Sequence, residues 1–191
     1  MDNEKTCSLC GKPLSKYGNR KIKDGVLCRN CIKAASPWLT EEAYEKLSLD
    51  DYRKHLEYRE LNKEKLKAFE AAKSIAGKYS LYLDEKNQQF LISKRKDYKK
   101  ENADVMSLDD IREITIYEER YLDGNDVDIC FDMKLKNDQI GDVCFRVNEF
   151  PGLIRDSEEH KAALDLALSY LDAFENEDGL DFEQAEGESD E

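Results

Sequence analysis

Six cysteines carry most of the chemistry this sequence could do, and four of them fall into two pairs of C-x2-C spacing: Cys7 with Cys10, and Cys28 with Cys31. Two residues between thiolates let both sulfurs converge on one ion. Two such pairs supply four soft donors, the set that tetrahedral zinc takes at about 2.3 Å. Gly11, directly after Cys10, suits a tight turn beneath a metal. The second pair sits in LCRNCIKAA, which reads as the start of a helix, where backbone amides favour thiolate charge. With all four positions filled by protein, the spacing predicts one structural Zn2+ held by Cys7, Cys10, Cys28 and Cys31, without the open position of a catalytic metal. Iron or a dithiol–disulfide switch is the alternative for the same four residues. The order of knuckle, hairpin and ligands at a helix start predicts a treble clef, with a zinc ribbon as the variant.

The other reactive side chains form no such constellation. Cys130 and Cys144 fall on one face of a hairpin, where they read as small, fairly apolar residues on a covered sheet face, reduced and metal-free. His55 lies in a charged segment and His160 at a helix start; both are expected to face solvent. DGNDVD (123–128) spaces its acids like a calcium loop, but Val127 stands where an oxygen ligand belongs and the sixth position is not glycine, so a hairpin turn is expected. No P-loop or dinucleotide glycine motif is present, and no catalytic residue or cofactor-binding residue is assigned; the chain reads as a non-enzyme.

The elements that must position the cysteines follow from pattern. Residues 1–36 read as a small zinc-binding module with turns at Gly18-Asn19 and Asp24-Gly25. Residues 37–77 read as a helical connector. A short helix opened by Ser36-Pro37 precedes a long one, capped by Ser48 with Asp51, running from Leu49 to Ala76 and ended by Gly77. Its apolar stripe is thin, so it is expected to pack only at its two ends, with exposed pairs such as Glu42–Lys46 and Asp50–Lys54. Trp38 and Pro37 are expected to pack the metal module on the first helix. Beyond Gly77 the period changes to two. YSLYLD and FLIS read as a hairpin, followed by the polar loop 95–102, ADVMS, REITIYEERY, a turn at Leu122–Asn125, and the pair VDICFDMKL and IGDVCFRV. In that last pair Ile129, Phe131, Met133, Leu135, Val143, Phe145 and Val147 alternate with mostly polar residues, as one buried face requires. Residues 157–176 form an amphipathic helix with Leu164, Ala167, Leu168, Leu171 and Phe174 on one face. The fold class is therefore α+β. A β-rich domain with a C-terminal helix spans 78–176, and an acidic, disordered tail follows at 177–191.

CSLCGKPLSKYGNRKIKDGVLCRNC resembles the cysteine module of the bacterial proteins grouped as domain of unknown function 4428, with C-x2-C-G, a basic hairpin ending in Lys21-Ile22-Lys23-Asp24-Gly25, and C-x2-C. The resemblance covers residues 7–35. KAFEAAKSIAGKYSLYLDEKNQQFLI and SLDDIREITIYEE are similar to the segments that follow in longer members. Six strands closed by a helix also resemble a bacterial pleckstrin-homology-like barrel. The resemblance implies zinc binding and no known activity.

Charge narrows the partners. The net charge of −13 divides into +5 over residues 1–40, +3 over 41–100 and −21 over 101–191. A basic head on an acidic body speaks about partners rather than fold. Lys16, Arg20, Lys21, Lys23 and Arg29 could reach phosphates, and about four such contacts give a log–log salt slope near −3.6, so nucleic-acid binding is expected to be weak at physiological salt. A protein partner is expected instead, with no membrane association. The sequence opens MDNEKTCSLC, without an apolar leader segment, and no apolar run could span a bilayer, so a cytoplasmic protein with reduced thiols is expected. The favoured role is a protein-interaction or regulatory module; nucleic-acid binding through the basic head is the alternative.

Overall fold

The computed structural model describes residues 6–94, 97–100, 102–121 and 126–178. The expected turn at Leu122–Asn125, the first half of the acid-rich loop beginning at Asp123 and the residues beyond 178 lie outside them. The described residues form a mixed helix-and-sheet molecule with antiparallel sheets and a C-terminal helix.

The chain opens with a knuckle closed by a Thr6–Pro13 bridge. Strands β1 (Arg20–Ile22) and β2 (Gly25–Leu27) pair as a hairpin, and α1 (Arg29–Ile32) follows. Each residue of the Ile22–Gly25 stretch has a task. Ile22 is buried. The Lys23 amide donates to the Leu47 carbonyl at 2.9 Å, and Asp24 accepts from the Leu49 amide at 2.7 Å. A side chain at Gly25 would collide with Ser8, whose hydroxyl lies 2.1 Å from where its Cβ would stand. The hairpin is thereby fixed to the junction between α2 (Glu41–Lys46) and α3 (Leu49–Ala68). Thr40, rather than Ser36-Pro37, caps α2, its side chain accepting from the Ala43 amide. Ser48 and Asp51 form a reciprocal capping box at α3, as the sequence indicates. On its surface Asp50 pairs with Arg53 rather than Lys54.

α3 is shorter than its composition suggests. It stops at Ala68, because Phe69 turns extended and is fully buried against Leu66, Leu91, Ala103 and Val105. The next residues are taken by the sheet: Asp84 accepts from the Glu70 amide, Ala72 donates to Leu83, and β3 (Lys73–Ile75) pairs with β4 (Ser80–Asp84). Lys73–Ile75, expected as helix, is therefore a strand, and Gly77 lies in the β3–β4 turn. Tertiary pairing outweighs a weak helix propensity here.

β5 (Gln89–Ser93) and β6 (Met106–Ser107) complete a first sheet in the order β3-β4-β5-β6. The second sheet holds β7 (Ile111–Arg120), β8 (Asp126–Leu135), β9 (Val143–Arg146) and β10 (Leu153–Ile154), with β7 on one side of β8 and β9 and β10 on the other. Both sheets are open, so hydrogen bonding closes no barrel among the described residues. The predicted alternation holds in β8 and β9: Ile129, Phe131, Met133, Val143 and Phe145 are buried on one face. That face meets Leu81, Leu83, Phe90 and Ile92 of the first sheet and Ala163, Ala167, Tyr170, Leu171 and Phe174 of α4 (Glu158–Asp178). Odd and even residues of a strand face opposite ways. Leu91 and Tyr82 therefore point to the far side, where they cover the end of α3.

Two further expectations fail at the joint between head and sheets. Trp38 packs not on α2 but against Tyr79 and Phe145, at ring distances of 5.9 and 6.2 Å. α3 is no end-packed connector either: Tyr52, His55, Arg59, Asn62 and Leu66 form a buried stripe at helical spacing.

Candidate metal centre

The knuckle and the start of α1 bring the four sulfurs together. All four Sγ atoms lie within 4.8 Å of one another, with Cys7 to Cys31 at 3.7 Å and Cys10 to Cys28 at 3.8 Å. A tetrahedral ion with metal–sulfur bonds of about 2.3 Å needs sulfurs about 3.8 Å apart, so the donor set fits a metal ion. Backbone builds the pocket: Gly11, at φ +69°, donates from its amide to the Cys7 carbonyl, and the Cys7 amide donates to Lys12. Cys28 is the N-cap of α1, and its amide points at the Cys7 sulfur at 3.3 Å.

The electrostatics of the thiols differ from one another. Burial raises the Cys7 pKa, but amides of Cys10, Cys28 and Leu9 outweigh it and bring the thiol down to about 6. The Cys31 amide lowers Cys28 against the effect of burial. Cys31 goes the other way, pushed far up by burial and then by the sulfurs of Cys10, Cys28 and Cys7. A cation at the centre of the cluster would offset the cost of burying a thiolate beside other sulfurs. Cys7 and Cys28 are buried, Cys31 is half-buried and Cys10 is exposed. The cluster rests on Ile22, Leu27, Ala35, Tyr44 and Tyr52, and the Tyr52 hydroxyl donates to the Cys31 carbonyl at 2.9 Å.

Residues 6–67 match the family model of a domain of unknown function, DUF4428. The match runs from the knuckle almost to the end of α3 and stops before the sheets. No curated protein and no solved structure matches the chain. The matched stretch takes in most of α3 as well as the cysteine module. No helix among the described residues is long and apolar enough to cross a membrane.

The remaining sequence candidates are placed apart from the cluster. Cys130 is buried, but Cys144 is exposed, so their sheet face is only partly covered. The Tyr117 hydroxyl lies 3.8 Å from the Cys144 sulfur. Neither histidine faces solvent: His55 is 2% exposed and His160 5%. His160 meets Glu118 at 2.9 Å. His55 accepts from the Ser36 amide at 3.0 Å.

His55 belongs to a polar cluster that pattern reading misses. Arg59, 1% exposed, pairs with Asp104, which is wholly buried. The Ser36 hydroxyl donates to the other Asp104 oxygen at 2.7 Å, and Asn102 donates to the carbonyls of Lys33 and Ala35. The signal was the 52-55-59-62-66 spacing, hidden because most of its members are polar. The cluster contains serine, histidine and aspartate but no nucleophile arrangement, because Ser36 Oγ donates to the carboxylate while the histidine is occupied by an amide.

Proposed function

We propose that the chain is a non-enzymatic protein-interaction module whose head is held by one structural Zn2+ on Cys7, Cys10, Cys28 and Cys31. The observation that carries the metal half is the pair of sulfur separations, 3.7 and 3.8 Å, in a closed set of four thiols. Four soft sulfur donors within 4.8 Å of one another favour zinc over harder cations, and a treble clef is the arrangement that a knuckle, a hairpin and ligands at a helix start would make. Support for the interaction half comes from exposed apolar side chains after β9. Phe150 is 77% and Ile154 68% exposed. Phe150 borders a cavity of about 330 Å3, lined by Val147, Leu153, Ala162, Ala163 and Leu166 among others. An exposed aromatic side chain bordering an apolar cavity is the kind of surface at which a protein partner can bind.

The nucleic-acid reading has less behind it. Arg20 pairs with Glu41, so one of the five basic side chains is engaged. Elemental analysis should give about one zinc per chain. A binding partner of the wild type should be lost by Phe150→Asp with zinc content unchanged. Binding of DNA or RNA that persists at ~150 mM salt, where screening reaches ~8 Å, would reverse the order of the two readings.

A further inference from the structure

We propose that occupancy of the four-cysteine site is transmitted to the β sheets through the polar cluster on α3, so that filling or emptying the head holds or releases the backbone at residues 102–107. This rests on the metal-binding reading above.

The head end of the path is the segment just after the last ligand. Cys31 O is held by Tyr52, Lys33 O and Ala35 O by Asn102 at 3.2 and 2.8 Å, and the Ser36 amide by His55. The segment that carries two metal ligands into the body of the molecule is therefore fixed by side chains from α3 and from Asn102.

The sheet end is held the same way. Residues 103–105 belong to no strand or helix, yet all three are buried. Side chains satisfy their backbone. Asn62 donates to Ala103 O at 2.7 Å and accepts from the Val105 amide at 2.8 Å, while Arg59 donates to Asn102 O at 2.9 Å. The segment runs straight into β6, where Met106 enters the main core.

Asp104 joins the two ends. One carboxylate oxygen takes the Arg59 guanidinium and the other takes the Ser36 hydroxyl. A buried carboxylate that loses a donor is left under-compensated in a low-dielectric interior, so opening the 31–36 segment weakens the hold on 102–105. The coupling is reciprocal: loosening 102–105 must lower the head's affinity for metal by the same factor.

The test uses the full-length protein loaded with Zn2+. Hydrogen exchange is read by mass spectrometry before and after chelation, and zinc retention is measured against a competing chelator. Chelation should speed exchange at 102–107 by about tenfold or more while leaving β5 protected. Asn102→Ala and the gentler Ser36→Ala should each weaken zinc retention about five- to tenfold, and Lys63→Ala, on the exposed side of α3, should not. A chain that binds no zinc sinks the metal reading itself, and that shows in the metal content before exchange is measured. A chain that binds zinc, yet exchanges at 102–107 at the same rate with and without it, overturns the transmission alone.

Discussion

The head and the sheets solve the problem of staying folded in different ways. Among the described residues the head's cluster has seven buried members, and two of these, Cys7 and Cys28, belong to the four-cysteine set that could hold a metal ion. The core between the sheets and α4 has twenty-two, nearly all aliphatic or aromatic. A cluster of the first size cannot offset the chain entropy of its own loops, whereas the second is a domain core. On the metal-binding reading proposed above, the head is ordered by its ion and the sheets by the apolar area they remove from water.

The strongest way to break that comparison is to take the ion away. Chelation, or Cys28→Ser, removes a contribution of ~10 kcal/mol or more to the head's folding. Residues 7–35 should lose their exchange protection, while β4, β5 and β8 keep theirs. A head that stays ordered without metal would show that seven buried residues suffice.

Next in size is the reverse experiment. Phe131 is fully buried and stacks on Phe145 at 5.4 Å and edge-on to Tyr170 at 5.8 Å. Phe131→Ala should lower the stability of the sheets by ~3–5 kcal/mol in chemical denaturation, by loss of transfer energy and by the cavity left. Zinc stoichiometry should not change. An effect below ~1 kcal/mol would mean that the core is loosely packed at this point.

The joint between the two regions is sensitive to acid. Burial first, then the Arg59 charge, depress His55 from 6.5 to about 4, with the Gln139 carbonyl opposing. The native state thus prefers neutral histidine, and the unfolded chain binds the proton first as pH falls. Stability is complete above about pH 6.5 and is lost progressively toward pH 4, to a limit of ~3 kcal/mol. The test compares the stability of wild type and His55→Gln between pH 4.5 and 7. The wild type should show the steeper decline, and equal slopes would remove His55 as its cause.

What the sequence reveals of this molecule follows from the range of the interactions. The four-cysteine cluster is legible because both pairs are close in sequence, at C-x2-C spacing. β8 and β9 are legible because one buried face imposes alternation on Ile129, Phe131 and Met133. The capping box at Ser48 and Asp51 is legible because it closes within four residues. The end of α3 is not. Lys65 to Ala76 suits a helix, and the deciding bond joins Ala72 to Leu83. The buried stripe of His55, Arg59 and Asn62 is less legible still. Its partners lie as far off as Asp104, 45 residues from Arg59, and its polar members look like a solvated face until those partners are known.

The smallest expected effect concerns the two cysteines outside the head, and it sharpens the contrast between thiols that bind and thiols that pack. In the β8–β9 register Cys130 stands opposite Arg146 and Cys144 opposite Asp132. The two are diagonal neighbours rather than a facing pair. Diagonal positions lie roughly 7–8 Å apart, beyond the roughly 4.4–6.8 Å between Cα atoms that a disulfide spans. Their thiols are also poor nucleophiles. Burial, then the Glu119 carboxylate, push Cys130 up to about 11, and burial raises Cys144 against the Tyr117 hydroxyl. Of these two, Cys144 alone is open to solvent. Zinc-loaded native protein should therefore present one slowly reacting thiol to an alkylating reagent at pH 8, Cys144. Chelation should add the four head cysteines, and Cys130 should react only on unfolding. Cys144→Ser should abolish the native reaction and leave stability and zinc content as they were. Rapid modification of Cys130 in the native protein would mean that the face covered by Tyr117 opens readily. A Cys130–Cys144 disulfide formed without loss of structure would mean that β8 and β9 can shift register.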